Sequence, residues 1–398
     1  MEKIDGAKKL YSVSSSHHLG ATGAASLHQQ ASRNLPPIHI PGTAPVGRCP
    51  MCEALDADLF FRSTDRLHQV PGEYIYRRCL SCRTVFQDPR VIPDDLMLCY
   101  PSEYHTHVEP DTQANICSAG PAKERASSGP KPRRMSQYRD SIRNAIEAVV
   151  RGAPQKGPWG RLGRVLAFVP RLRERAFGGL TDVLIPRGQD GLRALDVGCG
   201  AGGLLLALER AGWKVTGVEW DSRAAALARR HATHPVLEGD FRQISLPRGA
   251  FDLVVLSHVF EHFDDPINTL DRIKELLAPS GRAVLFYPNP ESLGARIYGK
   301  AWFPWEVPRH LVMPPGSALS KAAARVGLTT IEIQSHGKDA AGYFAHSRAY
   351  RDGRTVDEYH PAVNGSDKFL ARCERLLNII FRNLGEELVI VLKKGGRS

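Results

Sequence analysis

From residue 192 onward, short apolar runs alternate with amphipathic ones. Residues 192–197 are mostly apolar and of strand type, and they stop at a glycine-rich loop, Gly198-Cys199-Gly200-Ala201-Gly202-Gly203. Residues 204–210 then read as a helix ended by Gly212. Glycine suits a tight strand-to-helix turn where a ligand approaches bare backbone, and the helix start offers free N–H groups to something negative. Further strands are predicted at 214–219, 236–237, 251–256 and 282–287, with helices at 222–231 and 266–277, the latter stopped by Pro279-Ser280-Gly281. A Pro- and Trp-rich loop spans 288–316, followed by a helix at 317–326 and a strand at 328–334. An insertion at 337–384 holds a helix with Phe369, Leu370, Cys373, Leu376, Leu377 and Ile380 on an apolar side, and 386–392 closes the chain as a strand. The alternation predicts an α/β, Rossmann-like, doubly wound and mostly parallel sheet, with ligands at the carboxyl ends of its strands beside the switch point.

Upstream the pattern is different. Residues 1–45 are rich in Ser, Ala, Gly, His and Pro with no apolar period, and read as a disordered tail in which His17-His18 is incidental. In 46–108, Cys49-Pro50-Met51-Cys52 and Cys79-Leu80-Ser81-Cys82 form two knuckles separated by 26 residues, with a short strand at 74–78 leading into the second. Two thiolate pairs on tight turns suit a closed tetrahedral zinc site, so Cys49, Cys52, Cys79 and Cys82 predict a small zinc-ribbon-like domain with a structural metal and no catalytic water. Cys99, Cys117, Cys199 and Cys373 lack such spacing and read as plain thiols, and His68, His105 and His107 are not needed as ligands. Tyr100 and Tyr104, in a Pro-containing loop, either line a pocket or pack the small domain. Residues 109–135 are a Pro, Ser, Gly and Lys/Arg linker, and 136–190 a basic helical connector with a helix at 136–151.

Composition and charge narrow the classes. The 398-residue chain is 42% hydrophobic and 24% charged, ordinary for a globular protein. It shows no apolar run of about 18 residues and no secretory leader, so a cytoplasmic protein without a transmembrane segment is expected. The formal charge of +11 would suit nucleic acid, but 14 Lys and Arg against 4 Asp and Glu fall within 123–175. The rest is near neutral, which counts against a basic RNA-binding core. Basic amphipathic helices in this connector suit peripheral contact with an anionic membrane as well as the covering of a neighbouring domain.

Three acids specify what the glycine loop holds. Glu219 ends the second strand, 19 residues after Gly200, where a carboxylate can accept both ribose hydroxyls. Asp240 ends the third strand and suits an exocyclic amine. Asp196 ends the first, where it orients the loop or receives an ammonium. This set fits an adenosine with a zwitterionic tail better than a dinucleotide.

With those residues in place, the core (192–336 plus the last strand) resembles the class I S-adenosylmethionine-dependent methyltransferases. The matching pieces are Asp196-Val197-Gly198-Cys199-Gly200, Glu219, Gly239-Asp240, the strand into Ser257 with His258-Val259-Phe260-Glu261-His262, and Leu277-Ala278-Pro279-Ser280-Gly281. The resemblance implies S-adenosylmethionine as cofactor in a domain spanning 191–398. The methionine end would lie on Asp196, Gly198, Cys199, Gly200 and Gly202, the ribose on Glu219 and the adenine by Asp240 and Phe241, with Ser257 nearby. The modular order, with Trp302-Phe303-Pro304-Trp305-Glu306-Val307-Pro308-Arg309-His310-Leu311 after the core, looks like a bacterial methyltransferase group associated with glycan and secondary-metabolite pathways. The core is also similar to ubiquinone-type O-methyltransferases, which carry Glu-x-x-Glu-His and a divalent ion after the fourth strand. Here the triplet is His258, Glu261 and His262, and the first position departs from that pattern.

Methyl transfer is an in-line displacement at a carbon on a sulfonium, so the enzyme mainly aligns donor and nucleophile. A hydroxyl or acidic carbon must also lose a proton, for which His258, His262 and His310 are the candidate bases. Tyr104, Arg309 and Trp305 are the candidate acceptor contacts. The expected activity is O- or C-methylation of a small-molecule, sugar or glycan-intermediate, or quinone-like acceptor. The alternatives are an RNA methyltransferase that uses its zinc module on RNA, and a non-catalytic binding module that retains the fold.

Overall fold

A computed structural model describes residues 40–100, 133–152, 156–177, 180–186, 191–354 and 361–396. Tyr104, His105, His107, Cys117, His17-His18 and nearly all of the expected tail and linker lie outside the described residues.

The amino-terminal module is built from short antiparallel strands: β1 (Thr43–Ala44), β2 (Ala57–Ser63), β3 (Tyr74–Cys79), β4 (Val85–Gln87) and β5 (Arg90–Val91). The two cysteine knuckles are built alike. Glu53 N–H donates to Cys49 O at 2.9 Å and Arg83 N–H to Cys79 O at 3.0 Å. The residue that closes each turn, Glu53 or Arg83, has φ +66°. Three helices follow: α1 (Arg133–Val150), α2 (Pro158–Leu166) and α3 (Pro170–Ala176). They cover one face of the central sheet, where Ile146, Ala167, Ala176 and Phe177 share a core with Leu205, Val215 and Val255.

The remainder alternates as its pattern predicts. It comprises β6 (Arg193–Val197), α4 (Gly203–Ala211), β7 (Lys214–Glu219), α5 (Ser222–His231), β8 (Val236–Glu238), β9 (Phe251–Ser257), α6 (Pro266–Leu276) and β10 (Leu277–Pro288). It continues through α7 (Leu293–Tyr298), β11 (Val312–Met313), α8 (Gly316–Arg325), β12 (Leu328–His336), α9 (Ala340–Arg351), α10 (Gly365–Phe381) and β13 (Glu387–Lys394). The boundaries have local causes. The Asp221 carboxylate caps α5 by accepting from Arg223 and Ala224 N–H, and Asp265 caps α6 through Asn268 N–H. Gly212, at φ +101°, ends α4. Buried on both faces, β6 is apolar except for Asp196 and the exposed Arg193.

The central sheet runs β12-β13-β10-β9-β6-β7-β8. β13 is antiparallel to both its neighbours, and the other pairings are parallel. The order reverses between β6 and β9, so the carboxyl ends of β6, β7 and β9 frame a ligand crevice.

Three features depart from the expected pattern. The stop at 279–281 is part of β10, because Leu277 already pairs with Phe251 before the register shifts to Arg282 opposite Leu253. The loop at 288–316 is not irregular throughout: it holds α7, short 3-10 turns and β11. β11 pairs with β4, Val312 opposite Phe86 and Met313 opposite Val85, so the small module's sheet, β11-β4-β3-β2, is completed by the core. Cys49, Met51, Cys79 and Phe86 accordingly share one hydrophobic cluster with Leu256, Leu285 and Leu311.

Candidate functional site

At the end of β6 the chain turns through Gly198, Gly200 and Gly202, with φ of +66°, +54° and +94°. A Cβ on Gly198 would lie 2.4 Å from Val259 Cγ2, so the loop after β9 rests directly on the glycine turn. Gly200 N–H donates to Glu219 Oε2 at 2.8 Å and Asp221 N–H to Oε1 at 3.0 Å, which fixes the Glu219 carboxylate against the loop. Asp196 is 1% exposed and its Oδ2 has no hydrogen-bond partner. Burial, reinforced by Glu219, pushes its carboxyl up to about 8. A buried carboxylate with an orphaned oxygen beside bare glycine backbone suits a cationic group on an incoming ligand.

Other members of the expected cofactor set are differently engaged. Cys199 is buried in the core and its N–H donates to Val218 O at 3.1 Å, so it shapes the turn and offers the ligand no free donor. Phe241 packs its ring in the core, 6.1 Å from Phe263. The Asp240 carboxylate is held by Arg242, with Nη2 2.8 Å from Oδ2, and Arg242 also bonds Asp264. Ser257 ends β9, half-buried.

Beyond β9 the backbone bends sharply at His258, φ +55°, into a 3-10 turn Phe260–His262. The turn splits the three expected groups. His258 Nε2 lies 3.2 Å from Glu387 Oε1 at the start of β13. Burial alone would lower His258, but the Glu387 carboxylate outweighs it and raises the imidazole to about 9. Glu387 is correspondingly held down at about 2, against its own burial, by the His258 hydrogen bond. An imidazole paired this way is protonated at neutral pH, so the expectation of His258 as a base does not stand.

His262 and His310 behave oppositely. Burial holds His262 at about 3 and His310 at about 4, so both are neutral. His262 Nδ1 lies 3.1 Å from Arg309 O and His310 Nδ1 2.8 Å from Pro304 O. A carbonyl only accepts, so these are hydrogen bonds when Nδ1 carries the proton; in that tautomer the Tyr100 oxygen, 2.8 Å from His262 Nδ1, accepts from the same N–H, and Nε2 of each ring keeps its lone pair. The rings meet edge-on at 4.6 Å. Glu261 is fully buried, neither oxygen has a hydrogen-bond partner, Oε1 lies 3.8 Å from both His258 Nδ1 and His310 Nε2, and burial raises the carboxyl to about 8. Ligand atoms of Glu261, His262 and His310 lie within 4.8 Å of one another, a donor set that suits a divalent cation as well as proton handling. His310, from the 306–315 loop, thus takes the place expected for His258.

Two expected acceptor contacts are corrected. Arg309 is 0% exposed, its Nη1 and Nη2 bonded to Asp65 Oδ2 and Oδ1 at 2.8 and 3.0 Å. Trp305 is 2% exposed, packs against Phe61 and Trp302, and donates its indole N–H to Gly299 O at 2.8 Å. Both brace the loop from within and present nothing to an acceptor.

Tyr100, expected either to line a pocket or to pack the small domain, reaches the site, whereas Glu387 and Tyr343 were not expected there. Tyr100 OH is 2.8 Å from His262 Nδ1 while its ring meets Trp220 at 5.6 Å. Trp220 follows Glu219, so a single tyrosine spans from the end of β7 to the histidine cluster. Glu387 and Tyr343, whose hydroxyl donates to Glu387 Oε1 at 2.8 Å, come from the end of the chain and the helical insertion. A paired Glu386-Glu387 directly before an apolar strand was the available signal.

In the amino-terminal module, Cys49 Sγ is 3.5 Å from Cys82 Sγ and Cys52 Sγ 3.6 Å from Cys79 Sγ. Sulfurs on a tetrahedral zinc with bonds of about 2.3 Å sit about 3.8 Å apart, so the four thiols fit that ion.

Known proteins resemble part of this chain. Residues 169–333 match the family model of a methyltransferase domain. A ubiquinone biosynthesis O-methyltransferase of Cereibacter sphaeroides is 34% identical over 128 residues, 30% of this chain and 52% of that protein. The Nitrosococcus oceani enzyme of the same name is 39% identical over 98 residues, 23% of this chain and 42% of that protein. The chain thus spans about half the length of the curated relatives it matches. An S-adenosylmethionine-dependent methyltransferase structure from Mesorhizobium loti aligns with 52% of this chain and 92% of its own, at TM-score 0.35 and 15% identity. That likeness is too distant to add to the strand order itself.

Proposed function

We propose that this chain, which carries a class I S-adenosylmethionine-dependent methyltransferase domain, methylates a small-molecule acceptor, most simply at a hydroxyl. The position of Tyr100 carries the reading, because its ring packs on Trp220 beside Glu219 while its hydroxyl meets His262. The donor site and the neutral imidazoles are therefore one side chain apart. The ubiquinone O-methyltransferase relatives support a hydroxyl acceptor of quinone-like kind.

S-adenosylmethionine, when bound, supplies the methyl group on an activated sulfonium. Gly198, Gly200 and Gly202 would admit its methionine end, Asp196 its ammonium, Glu219 its ribose and the Asp240–Phe241 turn its adenine. His262, held by the Arg309 carbonyl, would take the acceptor's proton at Nε2. His258, kept cationic by Glu387, would steady negative charge developing on the acceptor. Glu261 would remain neutral between the rings, unless a divalent cation joins it with His262 and His310. Cys49, Cys52, Cys79 and Cys82 would hold a structural zinc. Paired thiols suit a reducing compartment, so a cytoplasmic location belongs to the same reading. An RNA acceptor is not favoured, since 14 Lys and Arg against 4 Asp and Glu fall within 123–175 and the rest of the chain is near neutral.

The test is calorimetric titration with S-adenosylmethionine, followed by turnover on a panel of catechols, quinols and nucleotide sugars with and without chelator. His262→Ala should keep cofactor affinity within about twofold and lose roughly 10²-fold or more in turnover. Undetectable cofactor binding by the folded protein would sink the reading. Unchanged turnover in the variant would remove His262 from it.

A further inference from the structure

Helix α10 is inside out. Asp367, Ala371, Glu374 and Asn378 follow one another at spacings of four, three and four, and this largely polar stripe faces the protein. Asp367 bonds Arg348 Nη2 at 2.9 Å. Glu374, 0% exposed, accepts from Glu386 N–H at 3.1 Å and lies so close to Gly337 that no side chain fits there. Asn378 Nδ2 donates to Ser335 O at 2.6 Å. The opposite stripe has the same spacings and is apolar: Phe369, Cys373, Leu376 and Ile380. Phe369 is 63% exposed, Leu376 64% and Ile380 72%, with Ile379 and Phe381 open beside them.

The charges that remain outside are of one sign. The two acids of α10 are the buried Asp367 and Glu374, while Lys368, Arg372 and Arg375 lie exposed along one flank of the apolar stripe and Arg382 follows its end. A wide apolar stripe flanked by cations is the composition of a helix that lies in a lipid headgroup layer. We propose that α10 docks this protein on an anionic lipid bilayer, with Phe369, Leu376 and Ile380 entering the acyl boundary and the three basic side chains on the headgroups. A second copy of the chain fits less well, because the only acids of its own α10 are the buried Asp367 and Glu374, so that helix offers the three basic side chains no counter-charge. The same chemistry recurs on α2, where Leu162 and Val165 are exposed next to Arg161 and Arg164, and where Phe168, just past its end, is 85% exposed.

The experiment is flotation of the full chain with vesicles of phosphatidylcholine alone and of phosphatidylcholine with phosphatidylglycerol in equal parts. The unsubstituted protein should partition at least about tenfold better onto the anionic vesicles and lose most of that on raising salt. Leu376→Glu/Ile380→Glu should lower partitioning at least about tenfold while leaving S-adenosylmethionine affinity unchanged, which also reports an intact fold. Arg372→Gln/Arg375→Gln should weaken binding to anionic vesicles without touching binding to neutral ones. Three results overturn the proposal. One is wild-type protein that ignores anionic vesicles. Another is a dimer that Leu376→Glu/Ile380→Glu makes monomeric. The third is vesicle binding abolished by Val165→Glu/Phe168→Glu but indifferent to every change on α10.

Discussion

Asp196 shows how one buried side chain ties fold to ligand. Its pKa is pushed to about 8 by burial and by Glu219, so at pH 6 it is almost wholly neutral. A cationic ligand group beside it favours the ionised form, so binding must be accompanied by proton loss below that pH. Affinity for S-adenosylhomocysteine, measured calorimetrically, should therefore rise up to about tenfold per pH unit from pH 6 toward 8 and then level. Asp196→Asn should bind more weakly and flatten that slope; a slope that survives in the variant would place the titrating group elsewhere. The residue was legible in the sequence because strand period and glycine spacing together confine it to the end of β6. Arg309 was not, because its role is set by Asp65, 244 positions away in the chain. A basic residue in an aromatic loop carries no local sign that it faces a buried carboxylate. His258 likewise read as a base, and only the pairing of β13 beside β10 brings Glu387 against it.

At the scale of elements, strand ends could be read to within a residue or two wherever an apolar run met glycine or a capping carboxylate. Turn chemistry misled at Ala278-Pro279-Ser280-Gly281. There the strand continues because Leu277 pairs with Phe251, and Gly281 sits where a Cβ would come 2.6 Å from Phe251 O. The aromatic loop at 288–316 hid α7 and β11 because their stabilisation comes from partners elsewhere: Glu386 accepts from Gly294 N–H at 2.7 Å, and β4 pairs with β11. The joint between β6 and the loop after β9 makes a sharper test. Gly198→Ala meets both a left-handed backbone and Val259 Cγ2 at 2.4 Å. Chemical denaturation should show a loss of about 1–3 kcal/mol, with weaker cofactor binding. Adding Val259→Ala should restore part of the stability and leave the backbone share of the loss. No recovery at all would mean that the clash is absorbed elsewhere.

At the scale of the whole molecule, the cysteine module and the α/β core stand or fall together. Three bonds tie the module to the loop that carries His310. Tyr76 OH donates to His310 O at 2.9 Å, Gln87 Nε2 to Pro308 O at 3.2 Å, and Gln87 N–H to Leu311 O at 3.0 Å. The Arg309–Asp65 pair crosses the same boundary with both side chains fully buried. Arg309→Met leaves Asp65 an uncompensated buried charge and should cost about 3–5 kcal/mol, Asp65→Ala less because Arg309 keeps Glu306 Oε1 at 3.1 Å, and Arg309→Met/Asp65→Leu less than the sum of the two. The same coupling sets what loss of a metal held by the four thiols would do. Cys49→Ser, or chelation of the wild type, should abolish zinc stoichiometry and lower the melting temperature of the core itself in a single calorimetric transition. Turnover should fall as well, because His310 loses the strand pairing that fixes its backbone. A module that melted by itself at low temperature, leaving core stability and turnover intact, would show that β11 pairing and the buried ion pair do not transmit. Measuring metal content, calorimetric profile and turnover on the same preparation decides between a detachable cysteine module and one that forms a wall of the candidate site.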